Sequence, residues 1–274
     1  MLISYSKWDK FRTCPYKFKL HYIDGWRLKR TKAIYAFGDC CHEAITGSLK
    51  FGKDPVAIFT KMWNKQQGCD LDYGDNDSFN KLTEIGKVLM ARAVDKLKEI
   101  QNVSHIEEYF KVPFVGGHEL EGYVDFVGDF KGTPTIFDIK SGKSFTDFEA
   151  KLSEQLTFYS TALGIRNVAL ITLSKTKTNP TVKILTSTRP AARIDDFRNI
   201  LSMDISRLEN VRLPLPKANK KTICQMCDFK AICFGTKRDI DAKLQVKKRF
   251  ETPTAVGTSP CRKPPRHNLI SVIN

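Results

Sequence analysis

Residues 119–140 read ELEGYVDFVGDFKGTPTIFDIK. The stretch is rich in β-branched and aromatic residues and is interrupted by Lys131-Gly132, so it predicts two strands, 119–130 and 134–140, joined by a tight connection. Upstream, residues 107–115 (EEYFKVPFV) predict a third strand that reaches the first through Gly116-Gly117, and the three read as a meander. Residues two apart in a strand share a face, so Asp138 and Lys140 project together from the end of the last strand. Asp125, on the neighbouring hairpin strand, can face them. Two carboxylates and an ammonium are awkward for a core but suit a hard divalent cation, Mg²⁺ or Mn²⁺, which takes oxygen ligands and retains water. Such an ion polarises a phosphate ester and acidifies a bound water, and a lysine beside it can orient that water or stabilise charge on phosphorus. A lone Asp-x-Lys also reads as a surface ion pair at a strand end.

Working outward, residues 34–50, 55–67 and 76–101 predict helices, with a polar break at Asp72–Asp77 before the last. After the strands, 146–163 returns to helical spacing, 167–174 (NVALITLS) and 181–187 (TVKILTS) predict two more strands, and 190–210 predicts a helix. Helices, three strands, a helix and further strands make an α/β chain: a mixed central sheet flanked by helices. Residues 6–23 read as an interrupted helix, in which Ser6 and Asp9 resemble a capping box and Pro15 restarts the turn after Cys14. Five consecutive segments result: a basic N-terminal segment 1–33, a helical region 34–104, a core 105–212, a cysteine-bearing segment 213–236 and a basic tail 237–274 expected to be disordered.

The chain has 274 residues, 41% hydrophobic and 27% charged, an ordinary globular composition able to bury a full core. No apolar run approaches the roughly 18 residues that span a bilayer, and no secretory signal is legible, so a cytoplasmic protein with no membrane partner is expected. The formal net charge is +15. Residues 1–32 hold nine basic and two acidic side chains and residues 237–266 hold nine and three, so positive charge gathers at both ends. That distribution points to a polyanion, most simply nucleic acid; the bland alternative is a solubilising surface.

Cys224-x2-Cys227-x5-Cys233 has the spacing of a metal site that lacks one ligand, and Cys14, some 210 residues upstream, is the best fourth. Four thiolates suit either a [4Fe–4S] cluster or a structural zinc, and spacing alone does not separate them. Either would clasp the N- and C-terminal segments together. Cys40, Cys41, Cys69 and Cys261 lack such spacing and read as ordinary thiols. Gly38 and His42 share a helix face, as do Gln155 and Tyr159. His42 reads either as a ligand or as a satisfied histidine, and Gln155 and Tyr159 either as site residues or as an amphipathic face.

Taken together, these residues resemble the PD-(D/E)XK nucleases, and more narrowly the RecB-like exonucleases with an iron–sulfur cluster, including CRISPR-associated members. The resemblance covers most of residues 4–235. Ser4 through Phe11, Cys14-Pro15 and Phe18 match the N-terminal cluster motif. Gly38 to His42 matches Gly-x3-His, and Gly122-Tyr123-Val124-Asp125 matches the motif around the first aspartate. Asp138-Ile139-Lys140 matches (D/E)-x-Lys, Gln155 to Tyr159 matches Gln-x3-Tyr, and Cys224, Cys227 and Cys233 match the cluster ligands. The resemblance implies a restriction-endonuclease-like core and a metal-dependent DNA exonuclease acting in recombination, repair or end processing. By it, His42, Asp125, Asp138 and the Ile139 carbonyl hold the divalent metal, and Asp125, Asp138 and Lys140 are catalytic. Gln155 and Tyr159 support the site and contact DNA, and the four cysteines hold iron–sulfur in preference to zinc. The implied substrate is single-stranded DNA or duplex ends. The chain has no Gly-x4-Gly-Lys-Ser/Thr phosphate loop, so unwinding would fall to a helicase or recombination partner. The alternative is a non-catalytic DNA-binding accessory subunit, against which stands the presence of every catalytic residue. A zinc-finger-like regulator would leave the aspartates, lysine and histidine without a task.

Overall fold

The computed structural model describes residues 1–176, 178–210 and 214–247. The chain runs β1 (Leu2–Ser4), α1 (Tyr5–Thr13), α2 (Pro15–Phe18), a π-helical turn (Lys19–Ile23), β2 (Trp26–Leu28), β3 (Thr31–Lys32), α3 (Ala33–Phe51), α4 (Pro55–Asn64), β4 (Leu71–Asp72), α5 (Phe79–Leu97), β5 (Ile100–Ser104) and β6 (Glu108–Phe114). It continues through β7 (His118–Val124), β8 (Phe126–Phe130), β9 (Thr133–Gly142), α6 (Glu149–Leu152), α7 (Glu154–Leu163), β10 (Asn167–Ser174), β11 (Thr181–Thr188), α8 (Ala191–Glu209), α9 (Lys221–Gln225), α10 (Lys230–Phe234), α11 (Lys237–Lys243) and β12 (Leu244–Val246). The expected α/β class is met: a mixed central sheet flanked by helices, in the order β11-β10-β9-β8-β5. β9 and β10 are parallel, and the other neighbours are antiparallel.

Local chemistry sets the helix ends. Asp54 caps α4 by accepting the N–H groups of Val56 and Ala57, with Pro55 at the first helical position. Ser78 caps α5 and Ser153 caps α7. Gly52 and Gly164 stop α3 and α7 in the left-handed conformation, at φ 63° and 73°. At the N-terminus Cys14 separates α1 from α2, as Pro15 demands. The Ser6–Asp9 capping box does not form: Ser4 precedes the helix, and Asp9 accepts from the Thr13 hydroxyl instead.

Two compact units divide the described chain: residues 32–110 with 122–194, and residues 1–31, 111–121 and the chain from 195 onward. In the first unit, α3, α4 and α5 bury Phe37, Ala44, Phe59, Trp63, Leu89 and Ala93 with Phe126, Phe137, Ile139, Ala169 and Ile171 of the sheet. Gly86 lets α5 approach the Phe59 ring so closely that a Cβ there would lie 1.9 Å from its Cζ. Cys40 and Cys41 are buried free thiols in this core. In the second unit Trp8 is wholly buried and donates its indole N–H to Asp204 on α8 at 3.0 Å. A separate small core joins Leu20 to Phe229, Ala231 and Leu244, with Tyr16 and Cys227 packed against it.

Three expectations are corrected. The meander does not persist, because the 119–130 strand breaks at Asp125. β7 joins a sheet in the order β1-β7-β6, while β8 joins the central sheet. The Asp125 carboxylate takes the N–H of Ile139 and its carbonyl takes that of Glu107, so this residue bonds outside a simple ladder. The helix expected to reach 101 ends at Leu97, and Ile100–Ser104 pairs with β8 as an edge strand. The tail is ordered at its start: Thr236 and Asp239 form a capping box on α11, and β12 pairs antiparallel with β2. The expected disorder from 248 onward lies outside the described residues.

Candidate active site

The end of β9 carries the site. Asp138 and Lys140 point from one face, as the period of two requires, while Ile139 points into the core on the other. Lys140 Nζ donates to Asp138 Oδ1 at 3.1 Å and lies 2.9 Å from Oδ2. The break after β7 brings Asp125 alongside, where its Oδ2 accepts the Ile139 N–H at 2.8 Å. His42 arrives on α3, its Nε2 2.8 Å from Asp125 Oδ1. Gly38, one turn earlier, faces the strand: a Cβ there would lie 2.9 Å from Ser141 Oγ. Gln155 arrives on α7. Its Oε1 accepts from Lys140 Nζ at 2.8 Å, and its Nε2 donates to the Tyr159 hydroxyl at 2.8 Å. The Tyr159 ring meets Phe110 edge-on, and Gly122 opens the space that the Phe110 ring fills.

The five residues assigned by sequence to the divalent metal and catalysis, and the two assigned as supporting residues, thus lie in one contact chain, His42–Asp125–Ile139 on one side and Asp138–Lys140–Gln155–Tyr159 on the other. One neighbour was missed. Glu107 Oε1 lies 3.5 Å from His42 Nδ1, so the imidazole sits between two carboxylates. Glu107 and Glu108 are indistinguishable in sequence. Glu107 adopts φ 52° and turns inward, leaving 13% of its side chain exposed against 55% for Glu108.

Burial drives the electrostatics. Asp125 is 5% exposed and Asp138 1%. Burial raises the Asp138 carboxyl to about 6, with Lys140 pulling it down and Asp125 pushing it up. At Asp125 burial acts in the same upward direction but is outweighed. His42, the Ile139 N–H and Lys140 hold that carboxyl below its ordinary value. One carboxyl of the pair is therefore firmly ionised and the other is held near the proton's threshold, the expected response of two acids sharing a dry site.

Two buried carboxylates, an imidazole and a strand carbonyl are the oxygen-rich donor set that Mg²⁺ or Mn²⁺ takes. Asp138 Oδ2 is buried and, beyond the Lys140 ammonium 2.9 Å away, takes no hydrogen bond, which leaves a lone pair for a cation. Among the described residues no group of three or more His, Cys, Asp or Glu is gathered as a metal site. Here Asp125 is turned to His42 and Asp138 to Lys140, so the oxygens point at partner side chains. The donor set fits in kind; the pairing would have to open.

In the other unit Cys14, Cys224, Cys227 and Cys233 are free thiols. Cys14 Sγ accepts the Lys17 N–H at 3.4 Å. Burial pushes the Cys233 thiol up, Lys217 opposes the rise, and Cys227, Cys14 and Cys224 each add to it, so Cys233 lies within electrostatic reach of the other three.

The model of a family described as the PD-(D/E)XK nuclease superfamily matches residues 2–234. No curated protein matches the sequence significantly. Among solved structures, a protein from Eubacterium rectale named as a proposed exonuclease is 13% identical, with a TM-score of 0.54 over 83% of this chain and 86% of that one. At that identity the likeness is one of fold. The alkaline exonuclease LHK-Exo from Laribacter hongkongensis matches at 14% identity and a TM-score of 0.34, covering 64% of this chain and 92% of that one. No helix among the described residues is long and apolar enough to cross a membrane.

Proposed function

Because the chain belongs to the PD-(D/E)XK nuclease superfamily, we propose that it is a DNA exonuclease dependent on Mg²⁺ or Mn²⁺. The observation that carries this reading is the convergence of Asp125, Asp138 and Lys140 at the end of β9, with His42 on one side and Gln155 on the other. Asp125, Asp138, His42 and the Ile139 carbonyl would hold the metal, which when bound supplies charge stabilisation at the phosphate and an acidified water. Lys140 orients the attacking water and stabilises charge on the phosphoryl oxygens. Gln155 fixes that ammonium, and Tyr159 fixes Gln155: by accepting the amide N–H₂, the phenol oxygen leaves the amide oxygen facing Lys140. Water attacks phosphorus, the bond to the 3′ oxygen breaks, and a 5′-phosphate is released, as the family resemblance implies.

Single-stranded DNA or duplex ends are the proposed substrate. A helicase or recombination partner supplies unwinding in a recombination, repair or end-processing role inside the cell. Cys14, Cys224, Cys227 and Cys233 are proposed to hold a [4Fe–4S] cluster, supported by their spacing in the sequence.

The test is incubation of end-labelled linear DNA, single- and double-stranded and blocked at either end, with Mn²⁺ or with EDTA. Mn²⁺-dependent release of label that is lost in Lys140→Ala is expected. Absence of metal-dependent release, with DNA binding retained, selects the accessory-subunit reading. For the cysteines, protein purified without oxygen should be brown and contain iron and sulfide. Colourless protein containing zinc decides against iron.

A further inference from the structure

Arg189, just beyond β11, is a fully buried cation with no part in the chemistry above. Among the described residues its guanidinium bonds only to neutral acceptors. Nε donates to Thr157 Oγ1 at 2.9 Å, Nη1 to Ser187 Oγ at 2.9 Å, and Nη2 to the carbonyls of Ala150 at 2.7 Å and Ser153 at 3.1 Å. Its own backbone is tied as well: the Arg189 N–H donates to Arg166 O at 2.8 Å, and Arg166 Nε donates back to Arg189 O at 2.8 Å. Burial and then Arg193 lower the guanidinium to about 10, so it stays charged at neutral pH. A buried charge balanced by dipoles alone is costly, and a single methylene-rich side chain would fill the space more cheaply. What the fork provides is geometry: a planar set of donors reaching several acceptors at once.

Those acceptors bracket the site. Ser153 and Thr157 lie two residues before and two residues after Gln155 in the first turn of α7. Ala150 belongs to α6, which stops at Leu152 and leaves carbonyls to be satisfied. Arg189 itself is fixed to the end of β11 through Ser187, and its backbone is fixed to Arg166 at the start of β10, the strand that pairs with the β9 carrying Lys140. We propose that Arg189 is a positioning residue: it pins the α6–α7 junction to the sheet and so holds Gln155 Oε1 on the Lys140 ammonium. The assignment rests on the nuclease reading for the importance of Lys140, but its geometric claim stands apart from activity.

The test is a double-mutant cycle on the full chain with Mn²⁺ and linear DNA, at a temperature well below every variant's melting point. Arg189→Lys should lower kcat by about 10- to 100-fold, as sub-ångström to ångström misplacement does, and leave KM within about twofold. In a Gln155→Ala background the same change should lower kcat by less than about twofold, because its effect passes through Gln155. A loss of the same factor in both backgrounds, or no loss in either, overturns the proposal. If Arg189→Lys does not fold, Thr157→Val, which removes only the Nε acceptor, runs through the same cycle with the same criteria. If the wild type does not cleave DNA, the nuclease reading fails, and NMR of the Gln155 side-chain amide decides this inference. Its resonances should shift and broaden in Thr157→Val; unchanged resonances overturn the proposal.

Discussion

Asp138→Asn should make the metal-free protein more stable while abolishing its chemistry. Asp138 is 1% exposed, and burial, opposed by Lys140 and assisted by Asp125, moves its carboxyl from 3.8 to about 6. A carboxyl whose folded value is raised favours folding when protonated. That contribution is complete below 3.8 and is lost as pH rises through about 6. At pH 8 the ionised carboxylate therefore costs about 3 kcal/mol, at about 1.4 kcal/mol per decade. Asparagine has the same shape, keeps an oxygen for Lys140 and carries no charge. Lys140 is 40% exposed and stays hydrated, so the lost ion pair takes back little. The net gain is about 2–3 kcal/mol, or about 5–10 °C in melting temperature for a chain of this size. Thermal unfolding in EDTA at pH 8 and pH 4 checks it: the variant should melt higher at pH 8 and level with the wild type at pH 4. Mn²⁺ should then raise the wild type and not the variant. A variant melting at or below the wild type at pH 8 in chelator would refute the claim that this carboxylate is held at a cost to folding.

Lys140→Ala should lower kcat at least about 100-fold with DNA affinity nearly unchanged, because the ammonium acts on developing charge and not on the bound strand; single-turnover cleavage and filter binding separate the two. Gly86→Ala should destabilise by about 1–3 kcal/mol despite its better helix propensity, since the new methyl meets the Phe59 ring at 1.9 Å; denaturant unfolding measures it. DNA binding, carried by a net charge of +15, should weaken on the order of 10³-fold between 50 and 200 mM salt if about six phosphates are contacted. A flat salt response would remove the electrostatic account.

The sequence by itself determined whatever is written in neighbouring residues. The alternation through 134–140 placed Asp138 and Lys140 on one face. The four-residue spacings put Gly38 with His42 and Gln155 with Tyr159. Pro15 marked the break in the N-terminal helix after Cys14. The order of these motifs was enough to carry the resemblance to a nuclease superfamily, and most helices and strands lay within a few residues of their expected places. Only the tertiary structure decided that β7 leaves β8 at Asp125 for a sheet shared with β1, that Ile100–Ser104 is an edge strand, and that Leu244–Val246 pairs with β2. It alone chose Glu107 over Glu108 to face His42, and gave Arg189 its four acceptors around α7. The division has a physical cause. Caps, turns and side-chain periodicity arise from bonds within a few residues of one another, and are legible wherever those residues stand. Strand partners and the orientation of buried charges are set by groups dozens of residues away, whose identity no local pattern announces.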